Sequence, residues 1–88
     1  MKYFDWSEDK NQWLIINRGI SFTDVVECVV AQKVIATEDN HPPYSHQKVL
    51  IIEFDDYLYE VPFVEDEAKV FFKTIYPSRR AMRKYKQL

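Results

Sequence analysis

The chain has 88 residues, 47% of them hydrophobic, 16% aromatic and 30% charged, with a formal net charge of −2. That length sets a ceiling of one domain, spanning 1–88, and the apolar share excludes a chain disordered for want of hydrophobicity. The single Cys28 excludes an intramolecular disulfide, and no Cys/His spacing resembles a zinc site.

Tyr3 to Trp6 is short and aromatic and reads as an opening strand. Ser7 offers a helix N-cap, Glu8 and Asp9 an acidic first turn, and Gly19 a stop. Inside that helix Trp13-Leu14-Ile15-Ile16 covers all sides, so at least one large side chain faces outward. Trp13, Leu14 and Ile16 are the candidates for contact with a partner or with a second copy of the chain. Ser21-Phe22-Thr23-Asp24 carries a cap with an acid at the third helical position and opens a second helix, to about Gln32. The lone Cys28 lies in its apolar run and reads as a buried, inert thiol.

Val34 to Thr37 reads as a short strand, and Glu38 to His46, with Pro42-Pro43, as a loop. Lys48 to Phe54 is apolar and β-branched, Asp55-Asp56 is a turn, and Tyr57 to Val64 alternates. Tyr57, Tyr59, Val61 and Phe63 share one face of that strand; Leu58, Glu60 and Val64 share the other. Glu60 reads as solvent-facing. Pro62 lacks an amide donor and predicts a free edge or a bulge. Glu65-Asp66-Glu67 is a turn, Lys69 to Tyr76 a further strand, Pro77 its end and Ser78 the cap of a last helix. The expectation is an α+β domain, an antiparallel β-meander with two N-terminal helices and a basic C-terminal helix, all helices on one face.

Residues 77–88 hold five of the 12 Lys and Arg and none of the 14 Asp and Glu, so they carry +5 against −7 for residues 1–76. Such a block attracts phosphate, although cations in a last turn also complement the helix dipole. On a helix Arg79 and Arg83 share one face and Arg80 and Lys84 another. Ala81, Met82, Tyr85 and Leu88 form a docking stripe, with Tyr85 able either to dock or to reach a phosphate. The N-terminus lacks a long apolar segment and a small-residue cleavage site, and the longest apolar runs are four residues, so a cytoplasmic chain with no membrane span is expected.

Three motifs, in order, resemble the BrnT family of bacterial type II toxin–antitoxin toxins, which have a RelE-like fold. These are Trp6-Ser7-Glu8-Asp9-Lys10, Gly19-Ile20-Ser21-Phe22-Thr23-Asp24 and Ser78-Arg79-Arg80-Ala81. The resemblance implies a metal-independent ribonuclease without cofactors, neutralised by a ribbon-helix-helix antitoxin. It places Arg79, Arg83, Lys10 and Tyr85 as catalytic candidates, and Arg18, Arg79, Arg80, Arg83 and Lys84 as RNA-binding ones. Departures stand at Leu14, where the family commonly has Asn, at Asn17-Arg18 in place of Lys-His, and at Thr74 in place of an Arg on the last strand. A non-catalytic protein- or RNA-binding module of the same fold is the alternative reading.

Metal-free RNA cleavage needs a base for the 2′-hydroxyl, cations for the phosphorane and an acid for the leaving oxygen. Arg suits the second task because its planar fork binds phosphate bidentately and stays charged. Histidine is the residue type best suited to act as a base near neutrality, but His41 and His46 both sit in the Pro-rich loop.

Overall fold

The structure, a computed structural model, describes residues 2–86. β1 (Tyr3–Asp5) leads into α1 (Glu8–Arg18), where Ser7 Oγ accepts from the Lys10 N–H at 3.3 Å. Gly19 ends α1 at φ 68°, its N–H on the Ile15 carbonyl, in the left-handed region that a side chain disfavours. α2 (Phe22–Val30) opens on a full capping box: Ser21 Oγ accepts from Asp24 N–H and the Asp24 carboxylate accepts from Ser21 N–H. It stops at Val30, short of the expected Gln32, because Gln32 takes φ 58°.

Asn11, which nothing in the sequence singled out, is buried between the two helices. Its Oδ1 accepts at 2.8 Å from Phe22 N–H, one of the first-turn donors for which α2 has no partner of its own.

β2 (Val34–Asp39) runs two residues beyond its predicted end, so the loop is 40–47 rather than Glu38 to His46. β3 (Lys48–Phe54) and β4 (Tyr57–Glu65) form a hairpin over Asp55 and Asp56, at φ 56° and 64°. Two consecutive positive φ values suit a two-residue turn whose twist matches the strands. The sheet order is β1-β5-β4-β3-β2, and β1 pairs with β5 in parallel, so the sheet is mixed rather than an antiparallel meander alone.

The predicted strand from Lys69 to Tyr76 is two pieces, β5 (Lys69–Phe72) and β6 (Tyr76–Pro77), both antiparallel to β4. Phe63 pairs with Phe72 and Glu60 with Tyr76, so the three residues 73–75 oppose the two residues 61–62. That is a β-bulge opposite Pro62. Lys73 N–H donates to the Pro62 carbonyl at 2.8 Å, so the proline's missing donor lies on the same edge. Proline sits in an interior strand because its neighbour has already broken register there.

β3 reads Val49-Leu50-Ile51-Ile52, apolar on both faces, and a strand of that kind needs cover on both sides. Leu50, Ile52, Val61, Phe63 and Phe72 pack with Leu14, Ile20, Phe22 and Val25 of the N-terminal helical segment. Phe72 stacks on Phe4 at 5.5 Å and on Phe22 at 6.0 Å, and Trp6 stacks on Phe22 at 5.6 Å. On the other face Val49, Ile51 and Leu58 pack with Ala81, Met82 and the ring of Tyr85. The helices therefore cover both faces, not one. α3 (Arg79–Ala81) and the π-helical turn Met82–Lys86 that continues it lie opposite α1 and α2. Leu88, the predicted last member of the docking stripe, is outside the described residues. Among those residues no helix is long and apolar enough to cross a membrane.

Candidate nucleic-acid interface

Tyr76-Pro77-Ser78 ends the sheet and starts the basic helix, and the two events share one carboxylate. Glu60 of β4 is only 7% exposed, which overturns its expected solvent-facing position. Even numbers on β4 lie on the face where the basic helix packs, and Leu58 and Glu60 lie under that helix. Glu60 accepts from Tyr76 OH at 3.0 Å, from Ser78 Oγ at 2.5 Å and from Arg80 Nη2 at 3.2 Å. Ser78 Oγ in turn accepts from Ala81 N–H at 3.0 Å, as the predicted N-cap. A buried carboxylate is tolerated when its lone pairs are met by donors and its charge by a cation, and Glu60 has both.

Arg80 reaches across to Glu38 of β2 at 2.9 Å, and Lys84 reaches the same carboxylate at 3.1 Å. Tyr85 OH donates to it as well. Arg80 and Lys84 share a helix face, as their spacing predicts, but that face is turned to the protein's own acids. Lys86 is paired with Glu53 at 2.6 Å. Three of the five cations of the basic block are thus spent on holding it against the sheet. Arg79 and Arg83 are exposed and make no ion pair among the described residues.

These contacts set the protonation states. The Tyr85 hydroxyl, helped by Lys84 and Arg80 and opposed by burial, holds the Glu38 carboxyl down to about 2. The same bond pushes the Tyr85 phenol up. Burial, then the Glu60 carboxylate, pushes Tyr76 up to about 12. Neither tyrosine is poised to lose its proton near neutrality. Burial also pushes the half-buried Cys28 thiol up, which fits the inert role expected of it.

A depressed carboxylate stabilises the fold above its ordinary value of about 4.3 and loses that contribution as pH falls through its folded value. The Glu38 latch will therefore be complete at pH 6 and will weaken between about pH 4.5 and 2. We expect Glu38→Gln to cost about 1–3 kcal/mol at neutral pH, with the gap to wild type closing towards pH 2. Urea midpoints of both proteins across that range provide the check; a gap independent of pH would exclude the latch.

The other predicted positions lie apart from this helix. Lys10 and Arg18 belong to α1, and they flank the Trp13 ring at 4.5 and 5.0 Å in cation–π geometry. Arg18 Nη1 also donates to the Ile75 carbonyl at 2.5 Å, pinning the bulge. The cluster that buries Leu14 of α1 lies on the opposite face of the sheet from the one that buries Ala81 and Met82, so Lys10 is not brought together with Arg79. Of the three candidate partner residues, Trp13 is exposed and Ile16 is 79% exposed, whereas Leu14 is 0% exposed. Leu14 is a core residue and is withdrawn as a contact, because it supplies the apolar side that α1 turns inward. Ile15, also exposed, completes the outward patch.

The basic helix covers only part of its face of the sheet. Beyond Glu60 that face opens into a groove of about 310 Å3 between loop 40–47, Pro62 and the bulge, with Tyr44, Lys73 and Tyr76 on its walls. Residue types and spacing had marked the helix, not this groove. His41 and His46 are exposed in the same loop. Among the described residues no three His, Cys, Asp or Glu side chains converge as metal ligands would. No family model, curated protein or solved structure matches this chain.

Proposed function

We propose that the chain is a RelE-like toxin of the BrnT kind. It is a metal-independent endoribonuclease of the bacterial cytoplasm, neutralised by a ribbon-helix-helix antitoxin. The observation that carries the reading is the division of labour within the basic block. Arg80, Lys84 and Lys86 anchor the helix to Glu38, Glu60 and Glu53, while Arg79 and Arg83 stay exposed and unpaired among the described residues. Holding the helix against the sheet fixes where these two side chains start, and a cation positioned in advance stabilises a phosphorane with little reorganisation. The outward patch of Trp13, Ile15 and Ile16 supplies an apolar surface for the antitoxin or for a second copy.

One observation favours the non-catalytic module instead. Tyr85 and Lys84, the first of them a catalytic candidate, are both bound to Glu38. On that reading the basic helix binds RNA or an acidic partner and cuts nothing.

The test is expression in a bacterium with and without the neighbouring reading frame, coupled to incubation of the purified chain with RNA under a metal chelator. Growth arrest relieved by a ribbon-helix-helix neighbour, together with chelator-resistant cleavage, is the expected result. Arrest without cleavage under any condition would move the conclusion to the binding module; neither effect would end both readings.

A further inference from the structure

The groove beside the basic helix has a lining that the proposed cleavage site does not use. Tyr44 stands at its rim with 55% of its surface exposed. Its loop is closed by backbone bonds, Asn40 N–H to Gln47 O at 3.0 Å, Gln47 N–H to Tyr44 O at 2.9 Å and Tyr44 N–H to His41 O at 2.7 Å. Asn40 Oδ1 takes the His41 N–H, and Asn40 Nδ2 donates to Gln47 Oε1 at 3.2 Å. The ring is therefore held on a braced loop.

Opposite the loop, the floor is Pro62 and Tyr76, both on the face that carries Glu60. The bulge sets Lys73 and Thr74 on the remaining wall. Among the described residues the Tyr44 hydroxyl, the Gln47 side-chain nitrogen and the Lys73 ammonium have no hydrogen-bond partner, whereas the Tyr76 hydroxyl is held by Glu60. The groove combines an exposed flat ring, amide and hydroxyl groups at the edges and one cation without an acid. Its size is at the lower end of ligand sites, which run from about 300 to 1,000 Å3.

We infer that this groove is a nucleobase subsite. It takes one unpaired base of a single-stranded RNA, stacked on Tyr44, with its edge towards the Gln47 amide and an adjoining phosphate on Lys73. The inference rests on the RNA-binding reading of the neighbouring helix and adds a residue-level account of how a strand would be held. Stacking on an aromatic ring tolerates every base, because each has a π-face, and the amide adds a preference at its edge. A groove built only for phosphate would need no exposed ring and more than one cation.

The experiment uses a fluorescein-labelled octaribonucleotide of mixed sequence with 2′-O-methyl sugars, which lacks the attacking hydroxyl, so binding is read apart from cleavage. Tyr44→Ala will weaken its affinity by roughly 5- to 150-fold and leave the salt dependence unchanged. Tyr44→Phe, which keeps the stacking face, will bind within about threefold of wild type, since a single weak hydrogen bond contributes little net free energy. Lys73→Gln will flatten the log–log salt slope by about 0.7. Circular dichroism checks the fold of each variant.

Unchanged affinity in Tyr44→Ala would overturn the subsite. If Arg79→Ala and Arg83→Ala still weakened binding, the helix reading would survive that loss. A salt-slope change in Lys73→Gln with no effect at Tyr44 would make the groove a phosphate contact only, and would equally sink the base-stacking claim. No binding by wild type would remove subsite and helix together. Loss of binding in Tyr44→Ala, in a protein that never cleaves unmodified RNA, would leave the subsite standing and end the nuclease reading.

Discussion

On the proposed ribonuclease reading, Arg79→Ala will lower single-turnover cleavage of a short RNA, with metal chelated, by about 10²–10³-fold. The size follows from removing one preorganised charge donor where negative charge develops. Arg79 follows the capping Ser78 directly, so the first turn of the helix fixes its origin, and it is exposed without an ion pair among the described residues. Its removal should therefore change stability by no more than about 0.5 kcal/mol, as surface changes away from special features do. Arg80→Ala is the contrast. It strips Glu38 and the buried Glu60 of their shared cation, so it should unfold more readily whatever it does to the rate. Full-rate cleavage by a folded Arg79→Ala protein would end the catalytic assignment, and the comparison with Arg80 keeps that outcome distinct from simple misfolding.

Phe72→Ala will cost about 3–5 kcal/mol, the usual range for truncating a fully buried Phe. Phe72 is 0% exposed and lies between Phe4 and Phe22, with Trp6 at 6.4 Å, so one ring joins β1, β5 and α2. It is also the last paired residue before the bulge, and its loss would free the segment that Arg18 pins. A domain of this size has about 5–10 kcal/mol to lose, so the variant should be partly unfolded near 37 °C. Urea denaturation gives the number, with Ile16→Ala as the surface control, expected within about 0.5 kcal/mol of wild type. A loss at Phe72 no larger than at Ile16 would contradict the stacked core.

Local chemistry was legible wherever a residue's conformation depends on its near neighbours. Ser7, Ser21 and Ser78 cap the helices because a hydroxyl three residues before a free N–H can reach it in any protein. Gly19 stops α1 and Asp55-Asp56 turns the hairpin because those positions require positive φ. Pro62 announced a free edge or a bulge for the same kind of reason, since it has no proton to give a neighbouring strand, and the structure has the bulge. That at least one of Trp13, Leu14, Ile15 and Ile16 faces outward followed from four large apolar residues in a row on one helix, but which of them turns inward did not, and Leu14 is the buried one.

What those rules could not reach were contacts between residues far apart in sequence. Glu38 meets Arg80 and Lys84 across 42 and 46 residues, and Glu60 meets Arg80 across 20. In the sequence Glu38 reads as the first residue of a loop and Glu60 as part of an alternating strand, both ordinary places for a solvated acid. Only the side on which the last helix docks turns them into its anchors. The helix had to pack on the face away from α1 and α2, because β3 is apolar on both sides and one layer cannot cover both. The same choice spent Arg80 and Lys84 internally, left Arg79 and Arg83 outside, and opened the groove between loop 40–47 and the bulge. The sequence by itself determined the helix caps, the stop of α1, the hairpin turn and the apolar strands, through local hydrogen bonds, φ values and alternation, but not the ends of α2 and β2 or the break between β5 and β6. The tertiary structure alone decided which charges neutralise one another and which remain for a ligand, because pairing depends on docking across the sheet.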